Sequence, residues 1–387
     1  MFPHPVFADA KTTIFEVMSG LARQTGAINL GQGFPEAPGP LELRQAVAHA
    51  AVEGWNQYAP SRGLPELRAA VAEHYSRLHL TGWTAEEVVV TSGATEGLAS
   101  ALLAWIKAGD EVIVFEPAYD AYRPLIERAG GVVKPVRLQP PHWRIERADI
   151  EAAITPATRM VLFNNPMNPA ARVFDAQEIA AVAGVCVDHD LIALSDEVWE
   201  HVIFDGRPHL TLSQAEGMKD RTIKVGSAGK MFGLTGWKIG FVCAPLSLLD
   251  PVARAHQFVT FASAPLLQSA VAQGLAWSAE RFDEMRHDLA CSRDRLKAGL
   301  EGEGYVCLEA EGAYFLNIDL AASGIEQGDV EFCHSIVKEY GVAAIPVSAF
   351  FSDGLPGPIV RLCFAKPDAV VDEAVQRLGR ARKALMS

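Results

Sequence analysis

Apolar and polar positions change period several times along the chain. Ile14, Val17, Met18 and Leu21 recur at helical spacing within the segment from Met1 to Gly26. Leu41 to Val52 and Leu64 to Leu78 read as further helices, the second amphipathic. From Val88, VVVTSGATEGLASALLAWI reads as a strand, a glycine turn and a helix. Compact apolar runs follow: EVIVFEP from Glu111, VVKPV from Val132, MVLFNNP from Met160 and Leu191 to Asp196. Their length and abrupt polar ends predict buried strands. From about Ala279 the composition shifts to a charged helix, RFDEMRHDLACSRDRLKAGL, with acid–base pairs at helical spacing. Short strands then close the chain: GAYFLNIDL from Gly312, VAAIPV from Val342 and IVRLCFA from Ile359.

Composition narrows the setting. A chain of 387 residues at 49% hydrophobic content suits one large and one smaller domain. A formal charge of −13 disfavours nucleic acid and anionic membrane as partners. Cys186, Cys243, Cys291, Cys307, Cys333 and Cys363 include no CxxC pair and read as reduced core thiols, so a cytoplasmic location and no metal are expected. No apolar run is long enough to span a bilayer.

The stretch VGSAGKMFGLTGWKIG, Val225 to Gly240, carries the candidate chemistry. Lys230 sits among small residues, with Met231, Phe232, Leu234 and Trp237 nearby and no acidic neighbour. A poorly solvated ammonium without a counter-ion has a lowered pKa, which leaves a nucleophilic amine. Glycines and Ser227 allow close approach to a phosphate. A phosphate-cradling P-loop is excluded, because Lys224 and Met231 occupy its glycine and hydroxyl positions. Gly31-Gln-Gly33 lacks the third glycine of a dinucleotide fingerprint. Thirty-four positions before Lys230, an apolar run delivers Asp196 at its carboxyl end. A buried carboxylate needs a cation. A protonated pyridine nitrogen is one, and a Schiff-base lysine with a pyridinium partner is the protein's share of pyridoxal-phosphate chemistry.

From about Asn29 to the C-terminus the chain resembles the class I/II aminotransferases of pyridoxal-phosphate fold type I. It is most similar to the branch of kynurenine aminotransferases, glutamine transaminase K and bacterial methionine aminotransferases. The resemblance implies an α/β fold: a large domain, 42–278, with a mostly parallel seven-stranded sheet between helices, and a smaller α+β domain from 1–41 and 279–387. It implies pyridoxal 5′-phosphate as cofactor and a homodimer, with Tyr58 of the NQY motif reaching the other subunit's cofactor phosphate. Gly93, Ala94 and Thr95 fall at a helix start suited to phosphate, although an ordinary capped helix has the same residues. Tyr119 matches the aromatic that stacks on the ring. Asn168 matches the asparagine on the ring oxygen, and a turn-forming Asn-Pro is its plain alternative. Gly33 and Phe34 match the substrate loop, where a Gly/Pro junction would read alike. Arg361, in the middle of an apolar run, would fork onto the substrate α-carboxylate.

The chain departs from the family pattern at several positions. Met167 and Ala171 replace the usual Asn and Gly. Trp199 stands where the family usually has a tyrosine, and indole N–H has a different reach. Lys238 stands where most members have Arg, so with Ser227 it supplies a point charge to the phosphate. Between Gln257 and Gln268 there is no cation, and Phe258, Phe261 and Ala262 imply an apolar side-chain pocket. The expected activity is transfer of an amino group from a methionine, glutamine or aromatic/kynurenine-type L-amino acid to a 2-oxo acid, with Lys230 as general base and Asp196 as ring partner. A cysteine-S-conjugate or cystathionine β-lyase shares the same early chemistry, and a non-catalytic pyridoxal-phosphate-binding regulator is the alternative from another class.

Overall fold

A computed structural model describes residues 3–8, 12–54, 56–78, 82–354 and 357–386. Among these, seven strands form the main sheet: β1 (Val88–Thr91), β2 (Glu111–Glu116), β3 (Val132–Arg137), β4 (Thr158–Asn164), β5 (Ile192–Asp196), β6 (Thr222–Ser227) and β7 (Gly240–Cys243). Their spatial order is β1-β7-β6-β5-β4-β2-β3. β7 runs antiparallel to both its neighbours, and the other six point one way. The carboxyl ends of six strands therefore share one edge. Gly240, the first residue of β7, joins them there, opposite both Thr91 and Ser227. Crevices outside the carboxyl ends of such strands are where α/β sheets bind ligands.

Strand alternation feeds both faces. Val112, Val114, Met160 and Leu162 pack into one core, while Ile113, Phe115, Val161 and Phe163 pack into the other. Burial on both faces explains why the strands read as unbroken apolar runs. Helix Ala94–Trp105, packed on helix Leu246–Val259, covers one side. Pro135, which lacks an N–H, falls in the edge strand β3, where a missing donor is tolerated.

A second sheet of four antiparallel strands orders Ile345–Pro346, Ile359–Cys363, Phe315–Asp319 and Val306–Cys307. A short parallel pair joins Ile28–Asn29 to Val342–Ala343, tying the N-terminal arm to the C-terminal part. The run VAAIPV, expected as one strand, is divided between these two sheets. Every residue from Val342 to Val347 is buried, so no polar interruption marked the division in the sequence.

All six cysteines are free, but they are not all core thiols. Cys291 is exposed and Cys307 half-buried. Cys291 lies on the solvated side of helix Ala279–Gly302, whose buried residues are Phe282, Arg293, Leu296 and Leu300. Among the described residues no helix is long and apolar enough to cross a membrane.

Candidate active site

At the carboxyl end of β6, Ser227 turns the chain into the single helical turn Ala228–Met231, its Oγ accepting the Lys230 N–H at 3.3 Å. The Lys230 side chain points into a cavity of about 530 Å³. Its Nζ donates to the Gly33 carbonyl at 3.2 Å and lies 4.6 Å from the centre of the Trp199 ring. Burial, reinforced by the like charges of Arg361 and Lys238, pushes its pKa down to about 8.

Asp196 ends β5 in the same cavity. Tyr122 donates its hydroxyl to Oδ2 at 2.6 Å, and the Val198 N–H donates to Oδ1 at 3.3 Å. Burial pushes the carboxyl up to about 6 even though both donors favour its ionised form. Neither Tyr122 nor Asn164 was singled out in the sequence. Asn164 donates to the Asp196 carbonyl at 2.9 Å and accepts the Asn168 N–H at 2.9 Å, fixing two expected site residues at once. Tyr122 follows Tyr119 by three positions in AYDAY, and the rings meet edge to face at 5.5 Å. That i, i+3 spacing at a helix start was the available signal.

Gly93, Ala94 and Thr95 form the helix start after β1 and line the same cavity as Ser227 and Lys238. Space here is tight. A Cβ on Gly93 would lie 3.0 Å from Lys238 Nζ, and one on Gly240 would lie 2.6 Å from the Ala94 nitrogen. The absent side chains leave the Lys238 ammonium and the N-terminal N–H groups of the helix close to one another in the cavity, a donor set suited to a phosphate.

On the opposite wall Arg361, in strand Ile359–Cys363, is 1% exposed. It donates to Asn168 Oδ1 at 2.7 Å and to the Gly31 carbonyl at 2.8 Å, and it stacks 3.9 Å from the centre of Phe315. The sequence reading had left it without a partner in a purely structural role; it has two, yet its Nε is buried and unpaired. Burial lowers its pKa to about 9. Phe15, Phe34 and Phe315 make an apolar wall beside it, and Gln32 sits at the same loop. Phe15 and Phe315 were not anticipated, because they reach the cavity from distant segments, whereas Gln32 lies within the loop already singled out through Gly33 and Phe34.

Gly33, Phe34, Gly93, Ala94, Thr95, Tyr119, Asn168, Asp196, Trp199, Ser227, Lys230, Lys238 and Arg361 thus all line one cavity. Trp199 does so by packing edge-on against Tyr314 at 4.3 Å beneath the Lys230 ammonium. Tyr58 is not brought to the cavity of its own chain. It is 85% exposed and lies edge-on to Phe261 at 5.4 Å. Phe258, Phe261 and Ala262 likewise lie outside the lining. An amine, a buried carboxylate and a phosphate cup in one cavity fit a phosphorylated pyridine aldehyde. One group with metal-ligand chemistry occurs among the described residues, Glu197, Glu200 and His209, but the Lys224 ammonium already bonds both carboxylates.

Residues 25–378 match the family model for aminotransferase class I and II. The chain is 39% identical over 379 residues to methionine aminotransferase of Escherichia coli (strain K12), covering 98% of each protein. It is 40% identical to a probable N-succinyldiaminopimelate aminotransferase of Mycobacterium tuberculosis, covering 95% of each. Kynurenine–oxoglutarate transaminase 3 of Homo sapiens is 32% identical, over 92% of this chain and 85% of that protein. The solved structure of an Escherichia coli protein with a methionine aminotransferase function superposes with a TM-score of 0.94 at 38% identity, covering 98% and 100% of the two chains. That of N-succinyldiaminopimelate aminotransferase from Mycobacterium tuberculosis gives 0.95 at 39%, covering 98% and 99%. With a lysine, a buried aspartate and a helix-start phosphate cup at one sheet edge, this chain belongs to the class I and II aminotransferases, the fold type I enzymes that move amino groups with pyridoxal 5′-phosphate.

Proposed function

We propose that this aminotransferase takes its amino group from an L-amino acid of the methionine, glutamine or aromatic/kynurenine type and passes it to a 2-oxo acid. The observation that carries this reading is the single cavity that Lys230, Asp196, Arg361 and the aromatic residues Phe15, Phe34 and Phe315 line together. The names of the relatives, methionine and kynurenine transaminases among them, agree with it.

When bound, pyridoxal phosphate supplies an aldehyde for amines and a ring that accepts the electron pair left by the substrate Cα–H bond. The chain's residues do the rest. Gly93, Ala94, Thr95, Ser227 and Lys238 would hold the phosphate, and Tyr119 would stack on the ring. Asp196 keeps the ring nitrogen protonated, which supplies the buried carboxylate with its cation. Asn168 and Trp199 would lie beside the ring, where the Asn168 amide and the Trp199 indole N–H are the available donors. Arg361 fixes the substrate α-carboxylate, with Gly33 and Phe34 closing that end. Lys230, with its pKa lowered to about 8, would use Nζ as the base that accepts the substrate Cα proton and holds it for return.

The division into 42–278 and into 1–41 with 279–387 follows the two sheets, with the pairing of Ile28–Asn29 to Val342–Ala343 supporting the assignment of the arm. The exposed aromatics Tyr58, Phe258 and Phe261 support a homodimer in which Tyr58 completes the partner's phosphate cup. Free thiols suit the reducing cytoplasm.

A panel of amino donors against several oxo acids, read by oxo-acid-dependent turnover of the holoenzyme, tests the substrate class. Best turnover with aspartate would overturn it, and pyruvate release from S-aryl cysteine without an acceptor would mark a β-lyase. Borohydride reduction followed by peptide mass spectrometry must put the cofactor's mass on Lys230. For the homodimer, Tyr58→Ala should weaken cofactor retention in equilibrium dialysis, and a monomer in sedimentation at working concentration would rule the reading out.

A further inference from the structure

Behind the turn that carries Asp196 and Trp199 lies a buried polar cluster that no step above uses. At its centre is Lys224, paired in register with Ser195 on the neighbouring strand. Its side chain is 1% exposed, and its ammonium donates to Glu197 and, at 2.6 Å, to Glu200 Oε2. Both carboxylates are satisfied further. Glu197 bonds His209 Nε2 at 2.7 Å and accepts hydroxyls from Ser195 and Thr211, each at 2.8 Å. Glu200 accepts the Tyr75 hydroxyl at 2.7 Å. Burial alone would discharge this lysine, yet Glu197 and Glu200 hold its pKa above the ordinary value. Six residues later on the same segment, Lys230 is pushed the other way.

The cluster is tied to the site through the backbone. Glu197 directly follows Asp196, and its N–H donates to the Val225 carbonyl at 2.9 Å. The Glu200 N–H donates to the Glu197 carbonyl at 3.1 Å, closing the turn on which Trp199 sits. One ammonium therefore cross-links both ends of the turn to β6, the strand that ends at Ser227. Without it, two buried carboxylates would face each other and repel, and the turn would relax.

We infer that Lys224 is a positioning residue: through Glu197 and Glu200 it fixes where Asp196 and Trp199 meet the cofactor ring. The inference rests on the reading of Asp196 as the ring-nitrogen partner. It acts at the ring and not at the substrate carboxylate, because Arg361 is held by the other sheet.

The test uses the holoenzyme with Lys224→Gln and the conservative Lys224→Arg. Lys224→Gln should move the pH midpoint of the bound cofactor's absorbance and lower kcat by about 10-fold or more, as displacement of a reacting geometry does. The KM for the amino donor should stay near wild type, and Lys224→Arg should restore much of both effects. A merely structural lysine would lower thermal stability and leave the absorbance midpoint in place; that result overturns the inference. If Lys224→Gln does not fold, Glu200→Gln keeps the volume and removes one of the two carboxylates, and it should shift the midpoint less but in the same direction. An unmoved midpoint there is equally fatal. Asp196→Asn separates the two ideas. No change in its absorbance titration would sink the reading of Asp196 itself, whereas a change there with none in Lys224→Gln sinks only the role of Lys224.

Discussion

The phenol of Tyr122 donates to Oδ2 of Asp196 at 2.6 Å, so the aspartate is held by a neutral partner before any cation reaches it. Burial and the nearby carboxylate keep the phenol un-ionised, with its pKa well above the ordinary value. Asp196 itself titrates at about 6, compared with 3.8 for a free carboxyl. The folded apoenzyme therefore binds this proton more tightly than the unfolded chain does. The resulting stability is complete below the unfolded pKa and is lost as pH rises through the window from 3.8 to about 6. The shift corresponds to ~3 kcal/mol. Urea unfolding of apoenzyme on either side of that window should show the loss, and Asp196→Asn should lack it. Tyr122→Phe removes a donor to the ionised form and should move the acid limb of kcat/KM to higher pH.

Lys230 gives the opposite linkage. Its folded pKa of about 8 lies below the ordinary 10.5, so the unfolded chain holds the proton more tightly between these values. Apoenzyme stability should rise with pH across that interval, and Lys230→Met should abolish the rise. Reductive alkylation of the apoenzyme should label this lysine with a midpoint near 8, read by peptide mass spectrometry.

Arg361→Lys replaces a planar fork by a point charge and breaks the geometry shared with Asn168 Oδ1. Loss of a buried charged hydrogen-bonding partner costs ~2–5 kcal/mol. We expect kcat/KM to fall by roughly 30-fold to several thousand-fold for donor and acceptor alike.

Ala171 occupies the left-handed region, with φ of 58°, a conformation that favours glycine. Its N–H donates to the Met167 carbonyl, and its own carbonyl accepts from Glu311 and Gly312, so the conformation is locked. An L side chain there costs roughly 1–2 kcal/mol. Ala171→Gly should relieve that strain, offset in part by the greater freedom of glycine in the unfolded chain. A net gain of about 0.5 kcal/mol, seen as a higher Tm with unchanged kcat, is expected.

The sequence by itself determined what depends on neighbours in the chain. Short apolar runs ending in polar residues marked the strands and put Asp196 and the helix start at Gly93 on one sheet edge. Small residues around Lys230 marked a desolvated amine, and Arg361 stood out as a charge inside an apolar run. Tertiary structure alone decided the pairings: Tyr122 on Asp196, Arg361 on Asn168 and Gly31, Lys230 on Gly33, and Lys224 between two glutamates. Each joins residues whose separation along the chain exceeds any local period, so no spacing rule could reveal it. Tyr58 shows the same boundary from the other side, since its exposure and its distance from the cavity of this chain could not be read from the NQY motif.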